Sequence, residues 1–108
     1  AAVEPAAASG PRVLPSGAPQ FSVVEFPLDE PELLVGLKWR FGATHGAWLK
    51  RVECELPEEV AEGVRVGYQL LAINDIEVLS RSSDEIRAVF REQSQIGDAM
   101  RLKFLRHA

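Results

Sequence analysis

The first hydrophobic pattern is Phe21, Val23 and Phe26 in Phe21-Ser-Val-Val-Glu-Phe26, which suits a strand ended by Pro27. Residues 27–32, Pro-Leu-Asp-Glu-Pro-Glu, carry two prolines and three acids and read as a turn. Leu37, Trp39 and Phe41 then alternate with Lys38 and Arg40, the pattern of a half-buried strand. After a glycine-bounded loop at 42–46, Ala47, Leu49 and Arg51 oppose Trp48, Lys50 and Val52 in a third strand, with Trp48 pointing outward. Pro57, two glutamates behind it and Gly63 mark a short helix over 56–63. Two further strands meet across Asn74-Asp75, residue types that tolerate a left-handed turn. Residues 82–93 form the clearest helix: Ser82 or Ser83 caps it, Glu85 supplies a capping box with Ser82, and Ile86, Val89 and Phe90 form its apolar stripe. A last strand turns Met100, Leu102 and Phe104 inward.

This order predicts a β-rich α+β domain: a small curled sheet or partly open barrel of five to six strands, capped by two helices. The domain spans residues 21–106. Residues 1–20 contain four prolines and no apolar period, so they read as a flexible Pro/Ala-rich linker or tail.

Composition narrows the function classes. A chain of 108 residues supports one modest core. Its net charge of −4 argues against general nucleic-acid binding, which needs a basic footprint. No stretch approaches the ~20 apolar residues of a membrane-crossing helix, and residues 1–20 lack the pattern of a secretory signal. A cytoplasmic module from a larger protein is the expected class. Cys54 is the single cysteine, so no intramolecular disulfide framework is expected, and its acidic neighbours Glu53 and Glu55 raise a thiol's pKa rather than activate it. His45 and His107 have no second ligand at useful spacing, so no metal or other cofactor is expected. With no nucleophile, phosphate-loop or metalloprotease motif, the chain reads as non-catalytic.

Four pieces in order carry a family resemblance. Leu34-Val35-Gly36-Leu37 resembles the x-Φ-G-Φ carboxylate-binding loop of PDZ domains, and Pro57 through Gly63 resembles their short first helix. Residues 64–78, VRVGYQLLAINDIEV, are similar to the family's L-x-x-G-D-x-I-L-x-V-N-G-x-x-V, and Ser83 to Arg91 falls where its second helix lies. The strand order resembles the eukaryotic-type, non-permuted arrangement.

The resemblance implies a protein–protein interaction module for scaffolding or signalling, which binds a short extended peptide by β-strand addition between strand 37–41 and helix 83–92. Carried over by position, the N–H groups of Val35, Gly36 and Leu37 would cradle a partner's C-terminal carboxylate beside Leu34. Leu37, Phe90 and Val35 would line the pocket for the ligand's last side chain, with Trp39 flanking the third-from-last residue. Lys38, Lys50 and Arg40 would favour acidic residues at alternate ligand positions. Ser83 stands where the family often has His, and Arg87 where it usually has a small or apolar residue. Leu34 replaces the more usual Gly, and Asp29, Glu30 and Glu32 lie where the family often carries a cation. These departures keep other occupants open: an internal segment, in a regulatory domain of a larger enzyme or scaffold, or a second copy in self-association.

Overall fold

A computed structural model describes residues 10–106. Seven antiparallel strands form one open sheet: β1 (Arg12–Leu14), β2 (Phe21–Pro27), β3 (Leu37–Phe41), β4 (Ala47–Val52), β5 (Gln69–Ile73), β6 (Ile76–Glu77) and β7 (Ala99–Leu105). The order is β1-β2-β7-β5-β4-β3, with β6 paired to β5, so β1 and β3 are the edges of the main path. Three helices accompany it: α1 (Pro31–Val35), α2 (Glu58–Gly63) and α3 (Ser83–Gln93). The α+β class expected from the sequence is the one found, with a strand and a helix more than the alternation revealed.

Both additions have local causes. The proline-rich stretch read as a linker contributes β1, paired with β2 in the register Arg12↔Glu25 to Leu14↔Val23. Pro11 and Pro15 bracket it, which an edge strand tolerates because one side of its backbone needs no donor. Arg12 Nε meets Glu25 Oε1 at 2.8 Å, and the Ser16 hydroxyl reaches the carbonyls of Ala18 and Phe21. Residues 1–9 of that expected linker lie outside the described residues, as does His107. The segment read as a turn at 27–32 instead starts α1. Pro31 stands at the first helical position, where its missing N–H costs nothing, and Glu32 lies in the first turn.

The alternation in β4 is broken by a bulge. Lys38 pairs with Arg51 but Trp39 pairs with Leu49, leaving Lys50 as the extra residue. Parity therefore reverses beyond it: Arg51, expected on the face of Leu49, is exposed, whereas Val52 packs against the core. A second irregularity lies in β5, where the register on β7 shifts between Leu70 and Ala72 and the buried Leu70 and Ile73 stand three apart. In β2, Ser22, Val24 and Phe26 are buried while Phe21 and Val23 are half-buried. Val24, Phe26, Leu49, Leu70, Ile73, Ile86, Met100, Leu102 and Phe104 are essentially inaccessible. Asn74 and Asp75 turn with φ of 50° and 70°, as a tight hairpin requires. Asn74 also accepts from the Arg101 N–H at 2.7 Å and donates to Gln93 at 3.0 Å, tying the hairpin to β7 and α3.

Ser82 is the cap of α3. Its hydroxyl accepts from the Glu85 N–H, and the Glu85 carboxylate accepts from the Ser82 N–H. These hydrogen bonds favour the ionised carboxylate and lower the Glu85 pKa. Because the folded value lies below the unfolded one, the cap's full contribution is present above about pH 4.3 and fades as pH falls through the lowered value. Ser82→Ala is expected to destabilise the domain by about 1 kcal/mol at pH 7. Urea denaturation at pH 7 and pH 3 checks this: the gap between variant and wild type should narrow at the lower pH.

Candidate functional site

The edge strand β3 and helix α3 face each other across an open apolar groove. Its cavity, about 540 Å³, is lined by Leu28, Leu34, Val35, Leu37, Trp39, Phe90, Arg91, Ser94 and Met100. Trp39 forms the wall between them. Its ring stacks on Phe104 of the core at 6.0 Å, inclined by 11°, and meets Phe90 of α3 at 5.7 Å. Ile86 and Val89 anchor α3 beneath, which leaves Phe90 half-buried at the groove. Leu37, Trp39, Phe90, Val35 and Leu34, all singled out in the sequence, thus meet in one cavity.

The backbone of β3 is open along this side. Gly36 O accepts from Glu53 N–H at 2.7 Å, and Gly42 N–H donates to Gly46 O at 3.0 Å. Residues 36 and 42 therefore point toward β4. Antiparallel alternation then turns the N–H and C=O groups of Leu37, Trp39 and Phe41 toward the free edge.

The predicted carboxylate cradle has a different geometry. Leu34 and Val35 belong to α1, and Gly36 follows in right-handed helical conformation, φ −72° and ψ −10°. The Gly36 N–H donates to Glu32 O at 3.0 Å, and that of Val35 lies inside the helical pattern. Leu37 is the member of the three whose N–H faces the groove. The need for glycine at 36 also has an internal origin. A Cβ there would lie 2.7 Å from Cys54 Cβ and 3.0 Å from Cys54 N and Sγ. The close approach is to the chain's own segment after β4. Cys54 is partly buried, its Sγ 3.4 Å from Leu33 O, and burial pushes its thiol pKa up, with the flanking acids playing no resolved part.

The remaining site candidates are spread around the rim. Lys38 is half-buried on the outer face of β3, while Arg40 and Lys50 are exposed, Lys50 at the bulge. None of these three makes an ion pair among the described residues. Arg40 instead lies over the Trp48 ring at 5.1 Å. Trp48 is half-buried, laid across Gly42 and Gly46, so it offers less free surface than its outward position suggested. Ser83 opens α3 away from the cavity lining. Arg87 lies over Phe41 at 4.7 Å, with Asp84 3.9 Å away. Sequence reasoning missed four lining residues: Leu28, Arg91, Ser94 and Met100. Met100 carried a signal, as an inward position of the last strand, and Arg91 follows Arg87 by one helical turn.

A second cavity, about 550 Å³, shares Leu28 with the groove and is lined by Glu25, Asp29 and Asp98. Its glutamate is already paired with Arg12.

No family model and no curated protein matches the chain. Among solved structures it is similar to the solution structure of the PDZ domain of human KIAA0340 protein, with a TM-score of 0.54 and 19% identity. That likeness covers 90% of this chain and 89% of the other. The fold is therefore PDZ-like. Among the described residues, no helix is long and apolar enough to cross a membrane.

The packing of Gly36 on Cys54 generates a test of its structural role. Gly36→Val is expected to destabilise the fold by about 1–3 kcal/mol through overpacking, read as a lowered urea midpoint. An unchanged midpoint would show that α1 shifts freely away from Cys54.

Proposed function

We propose that the chain is a non-catalytic protein-interaction module that binds a short extended peptide as an added strand on β3. The observation that carries this reading is the open edge itself. The main-chain groups of Leu37, Trp39 and Phe41 face an apolar groove of about 540 Å³ beside α3. An antiparallel peptide there would pair its backbone with those three residues and set one apolar side chain among Leu34, Leu37, Trp39 and Phe90. Its alternate residues would face the outer side, where Lys38, Arg40 and Lys50 favour acids.

Each net hydrogen bond contributes about 0.5–1.5 kcal/mol, and one buried apolar side chain about 1.5–3. Set against the cost of ordering a peptide, these terms give binding on the order of micromolar, suited to reversible scaffolding.

Selection from a random peptide library, followed by amide hydrogen exchange with the winners, tests the reading. Bound peptide should slow exchange at Leu37, Trp39 and Phe41 and leave Lys38 and Arg40, which point toward β4, unchanged. Protection confined to another surface would sink the proposal. The charged face is tested separately. Lys38→Glu with Lys50→Glu should weaken an acidic winner about three- to tenfold at low salt and flatten its salt dependence. Unaltered affinity would mean that these lysines only solvate the edge.

A further inference from the structure

The far side of the sheet has a second edge flanked by a helix. Beside β3 the groove is open, whereas the outer side of β2 is occupied by the chain's own Arg12–Leu14. The Arg106 N–H donates to Gln20 O and the Leu28 N–H to Asp98 O, so residues 20 and 28 face β7. Alternation then turns the main chain of Val23 and Glu25 toward β1, opposite Leu14 and Arg12. The buried Ser22 hydroxyl donates to Gly63 O at 2.7 Å and fastens α2 beside this edge. A cavity of about 270 Å³ remains between β1, β2 and α2, its lining including Val13, Leu14, Ser22, Glu59 and Glu62.

The segment in place holds weakly. It is three residues long and none of them is buried; Val13 is 37% exposed although it pairs with the inaccessible Val24. The Arg12 side chain is exposed, and ion pairs of that kind contribute little. Pro11 and Pro15 stop the pairing on both sides, while β2 runs for seven residues. A strand with so few buried contacts opens without the rest of the domain. Its surroundings are acidic, with Glu25 paired to Arg12 and Glu59 and Glu62 at the cavity. The last two make no ion pair among the described residues.

We propose that the β2 edge and α2 form a second strand-accepting site, in which Arg12–Leu14 is a tethered occupant that an extended basic segment of another protein replaces. The occupant displays the chemistry of the ligand: a cation opposite Glu25, then an apolar residue opposite Val24 that lines the cavity. Val13 leaves that cavity partly empty, so a larger apolar residue at its place buries more surface. The acids around the edge select a basic strand. The tether competes with any ligand in proportion to the time it is seated, so the site is conditional on opening. It is separate from the β3 groove and stands on a pairing that the structure already contains.

The probes are fluorescent heptapeptides with the sequence of residues 10–16, Gly-Pro-Arg-Val-Leu-Pro-Ser, and two relatives carrying glutamate for the arginine or phenylalanine for the valine. Anisotropy titrations use the full chain as wild type and as Arg12→Glu with Val13→Glu, which sets like charges against Glu25 and unseats the tether. The unseated chain should bind the arginine probe about tenfold or more tightly than wild type does. Bound probe should slow amide exchange at Val23 and Glu25 and leave Leu37, Trp39 and Phe41 unchanged. The glutamate probe should bind about three- to tenfold more weakly, and adding Glu25→Arg to the unseated chain should reverse that order. The phenylalanine probe should bind more tightly than the valine one.

Failure of the arginine probe to protect Val23 and Glu25, or equal binding of the arginine and glutamate probes, overturns the site. A phenylalanine probe no tighter than the valine one overturns the cavity as its socket. A wild-type dimer in sedimentation that Arg12→Glu abolishes gives the edge to a second copy and overturns the partner reading. If the unseated chain does not fold, wild type alone decides. Protection factors at Val23 and Glu25 should then lie about tenfold or more below those at Ser22 and Val24, which face β7. Equal protection overturns the proposal, because the tether would open only with the whole domain.

Discussion

The edge strand β3 is hydrogen-bonded on one side only, so its position depends on what holds it from the face. That hold is Trp39. Its indole stacks on Phe104 at the centre of the sheet and touches Phe90 on α3, linking core, edge and helix through one side chain. Aromatic contacts of this kind add about 0.5–1.5 kcal/mol to the burial of the rings themselves. They also set the separation between β3 and α3. A smaller residue at 39 would let Phe90 fall toward the sheet and narrow the groove. The same tryptophan is therefore core and groove wall at once, because a sheet edge carries its binding surface and its anchorage on neighbouring faces of one strand.

Charge is distributed around this frame against the net sign of the molecule. The chain carries −4 overall, yet Lys38, Arg40 and Lys50 line the outer side of β3 and β4, and Arg87 and Arg91 stand on the helix side. The acids Asp29 and Glu30 precede α1 and Glu32 lies in its first turn. The strand and the α1 end of this edge thus carry opposite local charge, a field that the net charge of the chain does not reveal. Free basic side chains on an edge also discourage pairing between copies of the chain.

Most of the sheet and α3 were legible because their signals are redundant. Met100, Leu102 and Phe104 alternate without interruption, Asn74-Asp75 specifies its turn, and Ser82 with Glu85 specifies the start of the helix. What escaped were features set by a single residue's geometry or by distant partners. The bulge at Lys50 leaves no mark in composition, yet it exchanges Arg51 for Val52 on the inner face. β1 contains three residues between prolines and is held by Glu25 and Ser16, which no local pattern reveals. α1 was hidden by reading Pro31 as a turn signal, although a proline at a first helical position starts helices as readily as it ends them. Within the groove, the apolar residues of β3 and Phe90 were visible from alternation and resemblance. Arg91 was not, because its place at the cavity depends on how the end of α3 meets α1.

The loop that joins α1 to β3 shows how a local packing requirement redirects recognition. Gly36 is tucked against Cys54 so closely that any Cβ would collide, and this contact fits the helical turn that engages the Gly36 N–H with Glu32. A main-chain donor bonded inside its own helix is unavailable to a ligand unless the turn opens, and opening it would strip Leu33 and Cys54 of their packing. The energy that a free backbone cradle could contribute is thereby tied up in the fold. The groove therefore presents an open strand edge and an apolar lining, while the main chain at its α1 end is bonded within the fold.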